Sequence, residues 1–211
     1  MILTRRAALS VALPALALGV SAGGRGARAV VPANVSADTL PVHGYGDPKA
    51  KVVVQEWFSL TCTHCARFSQ TVFPEIKQKL IDTGKIRYVF KDYPLDQVAL
   101  AAAMAADALP DERYLPFIEA LLSSQDRWAF DQNNDPVKQL GQYAALAGLS
   151  RDAFTATMND AKLRQAILDE QDRGQKQYKI EATPSFVFGS TVLSGEMDYE
   201  TFAKHVAEAG G

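Results

Sequence analysis

The sequence is poor in cysteine, in histidine and in net charge, and each shortage removes a class of function. Its 211 residues include two cysteines and three histidines, which argues against a zinc site because structural zinc normally takes four ligands. The formal net charge of -2 supplies no basic surface for nucleic acid. Repeats at solenoid periods and low-complexity tracts are also missing, which excludes an array or fibrous protein.

The chain is long and apolar enough to build a real core. Hydrophobic residues make up 47% of it, and its length suits one domain or one domain that carries a large insertion. These values predict a soluble globular protein.

The N-terminal segment has the layout of an export signal. Arg5 and Arg6 precede an apolar run over residues 7–20, and Ala27 and Ala29 form an A-x-A cleavage site. The run is too short to span a bilayer comfortably. We therefore expect residues 1–29 to be a signal peptide cleaved near Ala29, with the mature protein in the periplasm. The paired arginines leave the general and twin-arginine export routes both open.

The remaining chain alternates between strand and helix patterns. Proline and glycine make residues 30–47 a lead-in segment, and the β-branched run at 51–58 predicts a buried strand. The pattern then predicts a helical stretch to about residue 83 kinked at Pro74, a strand from Lys85, helical patterns over 96–179, a hairpin at 184–195 and a last helix at 199–209. This order predicts one α/β domain interrupted by a helical insertion.

The two cysteines lie where the first strand gives way to the first helix. At i, i+3 spacing in the first helical turn, Cys62 and Cys65 share one face and come close enough for a disulfide. Free amides and the helix dipole favour a thiolate there, so we expect Cys62 to be the nucleophile and Cys65 the resolving thiol. His64 between them adds stabilising charge when it is protonated.

Other uses of the same thiols stay open. Copper(I) needs fewer ligands than zinc, so transient binding by the pair is an alternative. A purely structural disulfide is another, although closing so short a loop removes little chain entropy. A redox-active dithiol is the favoured interpretation.

Several further polar residues are ambiguous from pattern alone. Glu56 lies within the first strand and is either solvated, which the pattern favours, or buried near the thiols, with Lys91 as a candidate partner. The Thr183-Pro184 bond would be trans by frequency. His43 is predicted to be an ordinary loop residue and His205 a surface residue of the last helix.

Taken together, these features resemble a known family. The E-x-F-S-x-x-C-x-H-C arrangement from Glu56 to Cys65, the helical insert and the late Thr183-Pro184 resemble a DsbA-type thiol:disulfide oxidoreductase of the thioredoxin superfamily, and the stretch YVFKDYPL resembles its BdbD branch. The resemblance implies a thioredoxin fold, a central mixed β-sheet flanked by helices, formed by residues 48–94 and 179–211 and interrupted by an α-helical insertion at 95–178.

The resemblance also implies roles for individual residues. Cys62 would be the exposed attacking thiol and Cys65 its buried partner, with His64 stabilising the Cys62 thiolate. Glu56 would be the buried acid that assists proton transfer. Thr183-Pro184 would be the cis-proline loop that pairs with substrate backbone, under a helical domain that caps the groove. Thr63 departs from the proline common in this family, so the redox potential is not implied.

The function implied is that of an exported dithiol oxidase. Substrates would be reduced or unfolded exported proteins, a DsbB-type membrane partner would reoxidise the enzyme, and no metal, nucleic acid or cofactor beyond the Cys62–Cys65 disulfide would be needed. The short lead-in favours a monomer over the dimers typical of isomerases. A disulfide isomerase or reductase, or a copper(I)-binding module, remain the alternatives.

Overall fold

A five-stranded mixed sheet forms the centre of the protein. The computed structural model describes residues 40–210, so the predicted signal peptide and the first part of the predicted lead-in lie outside the described residues. The strands are β1 (Gly44–Tyr45), β2 (Val52–Phe58), β3 (Ile86–Asp92), β4 (Ser185–Phe188) and β5 (Thr191–Ser194). Their order across the sheet is β1-β3-β2-β4-β5, and only the β2/β3 pairing is parallel.

Strand β2 is the middle of the sheet and sets the position of the site. Its β-branched and aromatic residues suit a strand covered on both faces. It pairs along its whole length with β3, and Trp57 near its end pairs with Ser185 at the start of antiparallel β4. The loop that leaves β2 and the loop that enters β4 therefore meet at one edge of the sheet.

Nine helices and one π-helical turn surround the sheet in the described residues. They are α1 (Thr63–Thr71), α2 (Phe73–Ile76), the π turn (Lys77–Ile81), α3 (Gln97–Asp107), α4 (Asp111–Leu122), α5 (Gln125–Trp128), α6 (Pro136–Leu146), α7 (Arg151–Met158), α8 (Ala161–Tyr178) and α9 (Tyr199–Glu208). The predicted kink at Pro74 is confirmed as a break, because α1 ends at Thr71 and Pro74 lies in the first turn of α2. Within residues 40–210, no helix is long and apolar enough to cross a membrane.

Capping residues mark helix starts that the sequence predicts. The Asp135 carboxylate accepts the Lys138 amide at 2.9 Å at the start of α6, and the Ser150 hydroxyl accepts the Ala153 amide at 3.2 Å at the start of α7. Such caps are local in sequence, and that is why they can be predicted without knowing the fold.

One strand was not expected. Within the predicted lead-in at residues 30–47, Gly44–Tyr45 forms β1 and pairs with Val89 and Tyr88 of β3. Two residues are too few to show an alternating pattern, and their pairing depends on a strand more than forty residues away.

Helix α8 packs on the sheet, although it lies inside the predicted insertion. A Cβ added at Gly174 would come within 2.4 Å of Trp57 Cζ3, so only glycine allows this approach. Nearby, Gln175 donates to the Tyr93 hydroxyl at 2.8 Å. The C-terminal half of α8 therefore covers the same sheet that holds the site, while the division into domains stays a prediction.

An aromatic cluster fills the opposite face of the sheet. The rings of Phe186, Phe188 and Phe202 lie at T-shaped or tilted angles with centroids 5.0 to 6.3 Å apart, and Phe68 of α1 lies 4.7 Å from Phe186. These geometries are favourable for aromatic pairs. They anchor α1 and α9 to β4 and hold the cysteine-bearing helix against the sheet.

The contact between α8 and the sheet predicts the effect of a small substitution. Gly174→Ala should lower the free energy of unfolding by about 2 kcal/mol, because the added methyl overpacks buried Trp57. Gly141→Ala in α6 is the control, since its methyl meets Phe154 at 3.3 Å and gains about 1 kcal/mol of helix propensity. Urea unfolding of both variants measures the difference, and a Gly174→Ala protein as stable as the control would contradict this packing.

Candidate active site

Cys62 occupies the N-cap of α1, the position at which a helix offers free amides. Its sulfur accepts the Cys65 backbone amide at 3.3 Å, and its own amide donates to the Ser59 carbonyl at 3.1 Å. A negatively charged sulfur is stabilised here by the amide and by the positive end of the helix dipole. The predicted strand–cysteine–helix arrangement is confirmed.

The two thiols have opposite acidities in this setting. A hydrogen bond from the Cys65 thiol is the largest of the effects that lower the pKa of Cys62 to about 5. Hydrogen bonds from Thr183 and from the amides of Cys65 and His64 add to it, and burial opposes it. Burial, the hydrogen bond to Cys62 and the charge of Glu56 raise the pKa of Cys65 well above its ordinary value. Both are free thiols. The pair therefore holds one readily formed thiolate and one thiol that keeps its proton.

Accessibility follows the predicted order but not the predicted degree. Cys65 is fully buried, and Cys62 is 7% exposed. The attacking thiol that the resemblance describes as exposed thus belongs to a largely buried residue, with the Thr183 carbonyl 3.3 Å from its sulfur.

The loop before β4 faces Cys62. The Thr183-Pro184 peptide is cis, so the expectation of a trans bond from frequency alone is wrong and the cis-proline implied by the resemblance is confirmed. The Cys62 thiol donates to the Thr183 carbonyl at 3.3 Å. The Thr183 hydroxyl oxygen is buried and has no hydrogen-bond partner among the described residues, so it is free to donate to a thiolate at Cys62.

Glu56 is buried beneath the thiols. It is 3% exposed, and the Tyr88 hydroxyl donates to its Oε2 at 2.7 Å. Burial raises the pKa of Glu56 to about 8, with the charge of Cys62 adding to the shift and the Tyr88 hydrogen bond opposing it. The solvated interpretation is therefore wrong. Lys91 does not serve as its partner, because the Lys91 ammonium lies 2.5 Å from Glu170 of α8.

The His64 side chain points away from the predicted contact. Its Nδ1 lies 3.0 Å from Glu196 Oε1, and the ring is 58% exposed. What reaches the Cys62 sulfur from this residue is the backbone amide. His64 thus stabilises the Cys62 thiolate through its backbone amide, while its imidazole bonds Glu196.

Two further side chains hold the cysteine loop, and no pattern in the sequence singled them out. Buried Gln125 of α5 donates to the Leu60 carbonyl at 2.8 Å and to the Cys62 carbonyl at 3.0 Å. The Thr61 hydroxyl donates to Asp96 at 2.7 Å, and Asp96 also caps α3. Only the cap could have been recognised from sequence. The helical segment therefore supports the loop that carries Cys62, the candidate nucleophile.

A groove of about 400 Å³ runs beside the cysteine helix. Thr63 and Arg67 line it from α1, and Leu122 and Gln125 line it from the helical segment. Helices α4 and α5 therefore border the cysteine helix, while the capping of a substrate groove by the helical segment stays a prediction.

The other two histidines lie away from the cysteines in sequence. His43 is in a loop, as predicted, but it is buried, 3.0 Å from Asp107 and stacked on Tyr114 with centroids 3.5 Å apart. His205 lies on α9, 2.9 Å from Glu208. Over residues 40–210, no group of three or more histidine, cysteine or acidic side chains is placed to hold a metal ion.

Comparison with known proteins decides the family. The profile of the family described as Thioredoxin matches residues 38–208. The crystal structure of alpha-DsbA1 from Wolbachia pipientis is 33% identical, superposes with a TM-score of 0.73 and is aligned over 83% of this chain and 96% of that one. The chain belongs to the thioredoxin family, in its DsbA-like branch.

Other relatives agree with this placement of the DsbA-like chain. A Rickettsia prowazekii protein, provisionally named protein-disulfide oxidoreductase, is 32% identical over 78% of the chain. The chain spans 60% of that relative and 52% of its counterpart from Rickettsia typhi. Oxidised BdbD from Bacillus subtilis shares the fold, with a TM-score of 0.70 at 20% identity over 80% of this chain and 92% of that one.

Loss of the Thr183 hydroxyl should raise the pKa of Cys62. Thr183→Val keeps the shape and removes a donor to a charged sulfur, so we expect a rise of about one unit. Ultraviolet absorbance of the thiolate against pH measures it. Thr157→Val is the control, because that hydroxyl is also buried but bonds the Ala153 carbonyl in α7. Equal thiolate titrations in the wild type and Thr183→Val would refute the contact.

Glu56 should make stability fall as pH rises. Its pKa is about 8 in the folded protein against an ordinary 4.5, so between these values the unfolded chain binds fewer protons and unfolding is favoured. Glu56→Gln cannot ionise, and its carbonyl can still accept from Tyr88. We expect the reduced variant to gain on the order of 4 kcal/mol over wild type at pH 8 and little at pH 4. Urea unfolding with reductant present tests this, and a gap that is constant with pH would contradict it.

Proposed function

We propose that this protein is an exported dithiol oxidase that introduces disulfides into reduced proteins through Cys62 and Cys65. One observation carries the proposal: a Cys62 sulfur at a helix N-cap, with its pKa lowered to about 5, beside a Cys65 thiol whose pKa is raised. A stable Cys62 thiolate favours the reduced pair over the disulfide, so the oxidised protein passes its disulfide on readily.

The reaction begins with the oxidised Cys62–Cys65 pair. A substrate thiolate attacks Cys62 Sγ, a substrate–Cys62 disulfide forms, and the Cys62–Cys65 bond breaks with its electron pair moving to Cys65. The Cys65 thiolate is buried and takes up a proton. Glu56 is protonated at neutral pH because of its raised pKa, and it is buried and interacts electrostatically with Cys65. We assign this proton transfer to Glu56.

A second substrate thiolate completes the exchange. It attacks the substrate sulfur of the mixed disulfide and expels Cys62 as a thiolate, a good leaving group because of its low pKa. Two substrate thiols thereby lose two electrons and two protons, and the cysteine pair gains the two electrons. Reoxidation requires an electron acceptor, for which we propose a DsbB-type membrane partner.

Substrate backbone has a natural place to bind beside the thiols. The cis-proline loop lies across from Cys62, with the Thr183 carbonyl 3.3 Å from the sulfur. Extended peptides pair through main-chain groups of this kind. We therefore assign substrate binding to Thr183 and Pro184. We also propose that the protein acts as a monomer in the periplasm.

The alternatives use the same two thiols for other ends. A reductase would need a less oxidising pair, an isomerase would rearrange existing disulfides, and a copper(I) module would use the sulfurs as ligands. The low Cys62 pKa supports the oxidase over a reductase, because it weakens the disulfide.

Oxidation of a reduced model protein by the purified, oxidised protein tests the proposal. We expect stoichiometric disulfide formation in the wild type and none with Cys62→Ser. When Cys65→Ser is first converted with glutathione disulfide to its Cys62–glutathione form, we expect a substrate thiolate to attack Cys62 Sγ, release glutathione and leave a substrate–Cys62 disulfide. An equilibrium constant with glutathione near that of thioredoxin would favour a reductase. Tight copper(I) binding without thiol oxidation would favour the metal module instead.

A further inference from the structure

Glu196 joins the cysteine helix to the loop after β5, and the proposed mechanism does not use it. Its Oε1 lies 3.0 Å from His64 Nδ1 and 2.8 Å from Arg67 Nη1. His64 precedes Cys65 by one residue and Arg67 follows it by two, so both lie on α1 beside the cysteines. One carboxylate oxygen is therefore shared by the His64 imidazole and the Arg67 guanidinium.

The position of Glu196 is determined by the rest of the site. The amide of its neighbour Gly195 donates to the Pro184 carbonyl at 2.8 Å, and the Ser185 and Ser194 hydroxyls are 2.9 Å apart across β4 and β5. The Glu196 side chain is 28% exposed, less than either partner. The backbone that carries the Glu196 carboxylate is thus hydrogen-bonded to the cis-proline loop.

This arrangement changes what His64 contributes to Cys62. The hydrogen bonds made by the Cys62 sulfur join it to the Cys65 amide and the Thr183 carbonyl, while the His64 ring bonds Glu196. A carboxylate at hydrogen-bond distance also offsets the positive charge of a protonated imidazole. The hydrogen bond of the ring, and its charge when it is protonated, are therefore both engaged by Glu196.

We propose that Glu196 is a positioning residue that holds the His64 ring off the Cys62 sulfur and so restrains the oxidising strength of the pair. This proposal rests on the proposed function, since it concerns the equilibrium between the dithiol and disulfide forms of the Cys62–Cys65 pair. Its physical content is independent: a ring released from Glu196 is free to turn toward Cys62 and stabilise the thiolate.

Glu196→Gln tests this, because it removes the charge and keeps the size. We expect the pKa of Cys62 to fall, and the equilibrium with glutathione to shift two- to fivefold toward the reduced protein, the range for an exposed ion pair. Glu200→Gln is the matched control, since it removes an equal charge from an exposed residue of α9 that pairs with neither His64 nor Arg67. Circular dichroism verifies that each variant is folded.

The role of the ring is tested in a His64→Ala background. There we expect Glu196→Gln to leave the glutathione equilibrium unchanged, because the side chain through which it acts is gone. An equal shift with and without His64 would overturn the proposal, as would equal shifts from Glu196→Gln and Glu200→Gln.

These outcomes are separate from those of the proposed function. Thiolate titration and the glutathione equilibrium need no protein substrate, so a wild type that fails to oxidise reduced proteins would end the oxidase proposal and leave this one standing. Conversely, an active oxidase whose Cys62 titration ignores Glu196→Gln would end only this inference.

Discussion

The hydrogen bond from the Cys65 amide to the Cys62 sulfur is the contact on which the site depends. It exists because Cys62 caps α1, so the sulfur stands where a serine or aspartate oxygen usually accepts the free amide. The cap in turn requires β2 to end at Phe58 and the Ser59 carbonyl to receive the Cys62 amide. A structural role in starting the helix and a chemical role in stabilising a thiolate are the same interaction.

The groups around this cap favour a negative charge at Cys62 and disfavour one at the more deeply buried Cys65 and Glu56. Near the surface, helix amides and the Thr183 hydroxyl face Cys62 and favour its anion. Beneath it, burial without a cation keeps Glu56 protonated and Cys65 a thiol. The molecule thereby favours negative charge at the Cys62 sulfur and protons at the groups below, which is the separation that the proposed thiol–disulfide exchange uses.

Much of the fold follows from local signals. The strand at β2, the break at Pro74 and the caps Asp135 and Ser150 each depend on residues adjacent in the chain, so the sequence predicts them correctly. Strand β1 is different, because two residues become a strand only when β3 is beside them. Gln125 was missed for the same reason: a glutamine in a short helix has no local feature that reveals two distant carbonyl partners.

The sequence by itself identified Cys62 as the candidate nucleophile, since i, i+3 cysteines at a strand-to-helix junction carry their chemistry in their spacing and in the dipole of one helix. Tertiary structure alone decided the state of the groups around them. Whether Glu56 is solvated or buried, whether His64 faces a thiolate or Glu196, and which peptide faces Cys62 all depend on residues far away in sequence. Burial and long-range charge pairing set those protonation states, and both exist only once the chain is packed.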